Sequence, residues 1–106
     1  MWPTQPYITQ LSTFFESHGW CRSVNARLAS GRTCNYYSWW AKSWSLWGAT
    51  MLLYPGEGTR VCRILHAEII SLDPRFANSS NSIIAWNDVK GRTKQQVIEL
   101  CKRLDI

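Results

Sequence analysis

The sequence predicts an all-α protein, a compact bundle of about four helices around a tryptophan-rich central helix. Apolar residues recur at helical spacing in four separate segments, which is typical of helices that bury one face. The 106 residues include seven tryptophans, so even a small core can bury a large apolar area. We therefore expect a single helical domain over residues 1–106.

The first helix is predicted over residues 6–18, where Leu11 and Phe15 recur on one helical face. Gly19 is expected to end this helix in the left-handed conformation, with Trp20 packed back near Phe15. Residues 22–37 are rich in polar side chains and favour an irregular loop, although a short strand near residues 24–28 stays open.

The second helix, predicted over residues 38–53, is the expected centre of the bundle. Its apolar stripe comprises Trp40, Trp44, Trp47 and Met51. Trp39, Leu46 and Leu53 widen that stripe until most of the helix is apolar, which is typical of a helix contacted from several sides. Gly48 would let a neighbouring helix approach closely.

Two more helices are predicted towards the C-terminus. The third covers residues 59–72, with an inward stripe of apolar residues. The Pro-, Asn- and Ser-rich residues 73–82 predict a loop, and residues 82–86 are either a strand or a helical turn. The last helix begins at Thr93, because Thr93 and Gln96 have the spacing of a capping box.

Composition and charge narrow the possible partners. There are 12 lysines and arginines against 7 acidic residues, a net charge of +5, which permits an anionic partner. The basic residues are scattered and no helix presents several of them on one face, so duplex DNA is not expected. The most apolar segment, residues 39–54, is shorter than the ~20 residues of a membrane span and contains Lys42. Because no signal peptide is visible, a cytoplasmic protein is expected.

Four cysteines provide neither a metal site nor a disulfide framework by their spacing. No C-x-x-C pair occurs among the four, which are Cys21, Cys34, Cys62 and Cys101, and the two histidines are not clustered with them. No metal and no cofactor are expected. Cys21 lies beside Arg22 and near His18, which leaves open a Cys21-dependent hydrolase.

The segment Trp86-Asn87-Asp88 has a structural and a functional interpretation. In the structural one, Trp86 fills the core, Asn87 and Asp88 bond to the backbone of a turn, and Asp88 pairs with Arg92. In the functional one, Trp86 stacks a base and Asp88 accepts from a ribose or base. Arg92 and the start of the helix at Thr93 then hold a phosphate.

Three motifs in order resemble a family of small bacterial and phage proteins catalogued as a domain of unknown function. They are "HGWCRS", "SLWGATMLL" and "IIAWNDVKGRTKQQVIELC", and the resemblance covers about residues 7–104. It is carried by Gly19, Trp20, Cys21, Gly48, Ala49, Trp86, Asn87, Asp88, Arg92 and Thr93. Trp39, Trp40 and Trp44 depart from the pattern. The resemblance implies a small helical fold and no particular activity.

A non-enzymatic binding protein is the function we expect. Its predicted ligand is an anionic, nucleotide-like molecule held between residues 19–22 and residues 86–93, and a phage protein that sequesters a host nucleotide would suit this size and charge. The predicted ligand-binding residues are Trp20, Cys21, Arg22, Trp86, Asn87, Asp88, Arg92 and Thr93. The alternatives are a protein–protein inhibitor acting through exposed tryptophans, with a host protein as partner, and the Cys21 hydrolase.

Overall fold

A computed structural model describes residues 10–106 and corrects the predicted class, because the protein is α/β and not all-α. Within these residues five α-helices and a short 3-10 helix accompany a four-stranded mixed sheet. In chain order they are α1 Leu11–Ser17, β1 Gly19–Trp20, β2 Ala26–Leu28, β3 Thr33–Cys34, β4 Ala41–Trp44, α2 Leu46–Leu53, α3 Gly58–Leu72, the 3-10 helix Pro74–Asn78, α4 Ser82–Asn87 and α5 Lys94–Arg103.

Two strands of the sheet, β2 and β3, lie in residues 22–37, where the sequence favoured an irregular loop and left a short strand near residues 24–28 open. β1 lies where a helix stop was predicted, and β4 lies in the predicted second helix. Its strand order is β1-β4-β2-β3, with β1 parallel to β4 and the other pairs antiparallel. Ala26 pairs with Trp44 on one side and with Cys34 on the other, so these three residues lie in one row across the sheet. Ala26 and Trp44 are buried, and this row forms the core face of the sheet.

The predicted second helix is instead a strand followed by a helix, and the break falls at Ser45. The backbone of Ser45 is extended, and its hydroxyl accepts from Gly48 N at 3.0 Å and so caps α2. The spacing of Trp40, Trp44 and Trp47 therefore does not describe one helical face. Trp44 is buried in β4, Trp47 is half-buried in α2, and Trp40 is exposed before β4.

Two glycines allow backbones to approach each other, though not in the way the sequence predicted. A Cβ atom on Gly48 would lie 2.3 Å from the carbonyl oxygen of Asn25, so the close neighbour is a loop and not a helix. Gly19 is not a left-handed helix stop. It begins β1, where a Cβ atom would lie 2.7 Å from the carbonyl oxygen of Lys42 in β4. Trp20 is the second residue of β1, and it is paired with Trp44 of β4.

The predicted helices outside the sheet agree with the structure where it describes them. α1 covers the later part of the predicted first helix, and residues 6–9 lie outside the described residues. α3 begins one residue before its predicted start and ends at Leu72, as predicted. Thr93 caps α5 with the predicted capping box, and residues 82–87 form the helix α4.

One core joins the helices to the sheet. α1 packs against α5, α3 packs against α2 and α4, and β2 packs against β4. The largest fully buried side chains include Trp44, Phe14, Phe15, Leu11, Leu46, Leu65, Ile69 and Leu100. In the described part of the chain, no helix is long and apolar enough to cross a membrane.

Candidate functional site

The structure brings the two predicted binding segments into direct contact, although 63 residues of the chain lie between residues 22 and 86. Trp20 Nε1 donates to Asn87 Oδ1 at 2.7 Å, and Asn87 Nδ2 donates to the carbonyl oxygen of Cys21 at 3.1 Å. Arg22 donates to the carbonyl oxygen of Val89 at 3.0 Å. We call this contact between residues 19–23 and residues 86–93 the junction.

Asn87 is the centre of the junction, and its amide is fully used by the protein. The residue is completely buried. Besides the bonds to Trp20 and Cys21, its Oδ1 accepts from Leu46 N at 3.0 Å and its Nδ2 donates to Asp88 Oδ1 at 3.0 Å. A side-chain amide has two donor hydrogens and two acceptor lone pairs, and these four bonds occupy all of them. Asn87 therefore has no polar group free for a ligand.

Asp88 holds an unusual turn in the facing segment. Its Oδ1 accepts from the backbone N–H of Ser23 at 2.8 Å, and Ser23 has a positive φ of 76°. A non-glycine residue in this region is strained, so it needs such a compensating contact. The structural interpretation expected Asp88 to pair with Arg92. It does not, because the Asp88 carboxylate faces Ser23 and Asn87.

Arg92 is fixed on Trp86. Its Nε donates to the carbonyl oxygen of Trp86 at 2.9 Å, and its guanidinium carbon lies 3.9 Å from the centre of the Trp86 ring. Burial lowers the pKa of Arg92 from its usual value, and the Asp73 carboxylate acts in the opposite direction. Because Trp86 is buried and its ring contacts Arg92, it does not present an open face for stacking a base.

The start of α5 is satisfied by its own side chains. Thr93 Oγ1 accepts from Gln96 N at 3.2 Å, and Gln96 Oε1 accepts from Thr93 N at 3.0 Å. These two bonds occupy N–H groups that an anion at the helix end would otherwise use. Thr93 thus defines where α5 begins.

Cys21 lies in the junction as a buried neutral thiol. It is 8% exposed, its Sγ is 3.8 Å from the carbonyl oxygen of Val24, and burial raises the pKa of the thiol. A nucleophilic cysteine requires a lowered pKa and a nearby base. His18 Nδ1 lies 3.0 Å from the carbonyl oxygen of Phe14, and its ring stacks on the Phe14 ring. The arrangement thus favours a structural role for Cys21.

An open groove lies elsewhere, between α3 and residues 79–83, and sequence reasoning missed it. Its volume is about 330 Å³, and we call it the α3 groove. The residues that line it are Trp47, Thr59, Cys62, Arg63, His66, Ser79, Ser80, Asn81, Ser82 and Ile83. Among these described lining residues there is no aspartate or glutamate, whereas four hydroxyl groups, Arg63 and His66 are present. The groove therefore offers donors suited to an anion.

The α3 groove is held together by a bond between its two walls. His66 Nδ1 lies 2.6 Å from Ser82 Oγ, which ties α3 to the first residue of α4. Asn81 Oδ1 caps α4 by accepting from Ile83 N and Ile84 N, both at 3.1 Å. The only sequence signal for this site was the spacing of Arg63 and His66 on the polar side of α3, next to a serine-rich loop.

A second open surface consists of aromatic side chains between β3 and β4. Tyr37, Trp39 and Trp40 are exposed to 61%, 54% and 70%. Trp39 and Trp40, predicted to lie in the apolar stripe of the second helix, are therefore exposed, as the protein–protein alternative would require. No group of three or more His, Cys, Asp or Glu side chains that could hold a metal ion occurs within residues 10–106.

Within residues 10–106 the fold is that of a small α/β protein with a hydrogen-bonded polar junction, an open groove beside α3 and exposed aromatic side chains between β3 and β4. Trp86 and Arg92 of the junction also line a second cavity, of about 350 Å³. The chain belongs to a family of unknown function, DUF6197, whose family model matches residues 7–104. Neither a curated protein nor a solved structure matches the chain.

Proposed function

We propose that the protein is a non-enzymatic binding protein whose ligand is a small anionic molecule of nucleotide-like chemistry, held in the α3 groove. The observation that carries this proposal is the chemistry of the groove lining. Arg63 and His66 lie on α3 opposite the hydroxyls of Ser79 and Ser80, with no carboxylate in the lining. Arginine, imidazole and hydroxyl donors are the groups that bind phosphate and carboxylate oxygens.

Arg63 is available for such a ligand. It is exposed, and within residues 10–106 it takes part in none of the ion pairs. Arg60, one turn earlier on the same helix, pairs instead with Glu57 at 3.4 Å. Among the described residues no carboxylate pairs with this guanidinium, which lies in the α3 groove beside donors of the opposite wall. This is a favourable setting for an anion.

Trp47 extends the proposal from a simple anion to a nucleotide-like ligand. It lines the same groove and is half-buried, so one part of its ring lies in the lining while another part packs on Tyr36 with ring centres 5.9 Å apart. Ligand sites commonly combine an aromatic wall with a few placed polar groups. Sequestration of a host nucleotide by a phage protein is one role that this ligand class would serve.

The junction is not the binding site in this proposal. The polar atoms of Asn87 are all bonded within the protein, and Trp86 is covered by Arg92. The burial of Cys21 supports a binding protein over a Cys21 hydrolase, because this thiol is 8% exposed, has a pKa raised by burial and does not line the α3 groove.

Isothermal titration and thermal unfolding with inorganic phosphate, AMP, ATP and uncharged adenosine would test the proposal. A ligand at a hundredfold excess over its Kd should stabilise the protein by ~2.7 kcal/mol, and adenosine should stabilise it far less. Arg63→Ala should weaken nucleotide binding by about 10- to 150-fold, as expected for loss of one charge-assisted hydrogen bond. Arg60→Ala, the matched control on the same helix, should retain the affinity.

Two outcomes would contradict the proposal. One is the absence of stabilisation by every anion in the series. The other is an equal effect of Arg63→Ala and Arg60→Ala, which would mean that overall charge, and not the α3 groove, determines binding.

A further inference from the structure

Residues 35–40, which we call the aromatic turn, form a second surface that is separate from the α3 groove. It connects β3 to β4, which lie on opposite sides of β2 in the sheet. Tyr37, Trp39 and Trp40 are the aromatic members of the exposed large apolar side chains within residues 10–106. Tryptophan is highly buried on average, and a cluster of exposed aromatics marks an interaction surface.

Hydrogen bonds hold the backbone of the aromatic turn in one conformation, and this conformation positions its aromatic rings. Ser38 N donates to the carbonyl oxygen of Asn35, and Ser38 Oγ accepts from Trp40 N at 3.2 Å. Trp44 Nε1 donates to the carbonyl oxygen of Tyr36 at 2.8 Å, which ties the turn to the buried core. Because the backbone is already ordered, less conformational entropy is lost when the turn binds a partner.

The chain segment that contains the aromatic turn carries charges of one sign only. Between residues 17 and 56 the chain contains no aspartate or glutamate, whereas it contains Arg22, Arg27, Arg32 and Lys42. Arg32 and Lys42 are exposed, and neither belongs to an ion pair within the described residues. This sheet segment therefore accounts for +4 of the net charge of +5.

The strand register places these cations near the tryptophans. Leu28 N donates to the carbonyl oxygen of Arg32 on one side, and Leu28 is paired with Ala41 on the other. Arg32 and Ala41 thus flank the same residue of β2, at one end of the sheet. Adjacent strands are ~4.8 Å apart, so about 10 Å separates the two flanking backbones. Trp40 precedes Ala41 and Lys42 follows it.

We propose that the aromatic turn binds single-stranded nucleic acid. In this arrangement the rings of Trp39 and Trp40 stack on bases, while Arg32 and Lys42 contact the phosphates. Proteins that bind single strands without sequence preference combine these two elements, a basic surface and aromatic rings that accept any base. The absence of carboxylates from the surrounding segment fits a polyanion better than a protein face of mixed charge.

Fluorescence anisotropy with a labelled 12-nucleotide poly-dT strand, at a series of salt concentrations, tests this surface. The double variant Trp39→Ala/Trp40→Ala should lose about 25-fold or more in affinity, since each stacked base contributes at least about 5-fold. Leu72→Ala removes another exposed large apolar side chain, 48% exposed on α3, and should leave the affinity unchanged. Far-UV circular dichroism should show that all variants are folded.

The salt dependence tests the phosphate contacts separately. For single strands the slope of log affinity against log salt is about −0.7 for each phosphate neutralised. Arg32→Ala and Lys42→Ala should each make the slope shallower by about 0.7. Arg75→Ala is the charge control, because Arg75 is exposed, is paired with Asp73 and lies in the 3-10 helix, outside the sheet segment. It should leave the slope unchanged.

Three results would overturn the proposal. The first is the absence of poly-dT binding at low salt. The second is binding that survives the loss of both tryptophans, which would reflect net charge alone. The third is a preference of the aromatic turn for duplex DNA, for anionic phosphatidylserine vesicles or for an acidic protein over poly-dT. Arg63→Ala should not affect poly-dT binding, so this proposal and the nucleotide groove can fail independently.

Discussion

Replacing Asn87 by alanine should destabilise the protein more than any other single polar substitution we propose. The side chain is completely buried and links three segments of the chain through bonds to Trp20, Cys21 and Leu46. Alanine removes all of these bonds at once. It also leaves the buried Leu46 N–H and the Cys21 carbonyl without their partner.

The size of the effect follows from these bonds. A hydrogen bond contributes ~1 kcal/mol net, and a buried group left without a partner costs ~1–3 kcal/mol. For the three bonds that leave the 86–93 segment, we expect the free energy of unfolding to fall by about 3–5 kcal/mol. Because the total for a domain of this size is ~5–15 kcal/mol, Asn87→Ala should lose a large part of its stability.

Urea denaturation followed by tryptophan fluorescence and far-UV circular dichroism measures this loss. Asn87→Asp keeps Oδ1 and nearly the same volume, but it places an oxygen where Nδ2 faces the Cys21 carbonyl and the Asp88 carboxylate. It should therefore also destabilise strongly. Asn78→Ala, an exposed asparagine of the 3-10 helix, is the control and should change stability by less than ~0.5 kcal/mol. A loss below ~1 kcal/mol for both Asn87 variants would refute the role we assign to this amide.

Three further predictions concern stability. Thr93→Ala should cost ~1 kcal/mol because it removes the cap of α5, and an unchanged urea midpoint would contradict this. Asp88→Ala and Arg92→Ala should be additive within about 0.5 kcal/mol in a double-mutant cycle, since their side chains contact different groups. Burial raises the pKa of Cys101 from 9.0 to about 12, so folding favours the neutral thiol and stability falls as the pH rises from 9 towards 12. Between about pH 7 and about pH 10 the parent should lose about 1–2 kcal/mol more than Cys101→Ala, and parallel pH profiles would exclude this linkage.

The helices that the sequence predicted correctly are those whose signals are local. α5 begins with a capping box, which needs only Thr93 and Gln96, and α3 has a regular apolar stripe over fifteen residues. Such signals act within one turn or along one face, so they do not depend on the rest of the fold. The position of Trp86 in the core was likewise expected in the structural interpretation.

The sheet could not be predicted because its strands have too few residues to show a period. They contain two to four residues each, and their partners come from distant parts of the chain. A two-residue strand such as β1 exists only because β4 lies beside it. In residues 40–47 the tryptophan spacing resembled a helix, and only the extended backbone of Ser45 reveals the break.

The candidate sites show the same division between local and long-range information. Sequence reasoning placed residues 19–22 beside residues 86–93, and the structure has them in contact. The contacts, however, occupy the whole Asn87 amide, and the capping box occupies the N–H groups of Thr93 and Gln96. The α3 groove depends on the loop before α4 folding back over α3 through His66 and Ser82. That contact joins α3 to the start of α4 across a loop of no regular pattern, so it could not be inferred from residue spacing.

The two ends of α4 connect the junction to the proposed binding groove. At its start, Asn81 caps the helix and Ser82 contacts His66 across the α3 groove. At its end, Asn87 is bonded to β1, to the residue after β1 and to the first residue of α2. A helix of six residues has little stability of its own, so its position is set by these contacts. If the groove binds the proposed ligand, Trp86-Asn87-Asp88 would support binding by holding one wall of the groove in place. The ligand would contact the opposite end of the same helix.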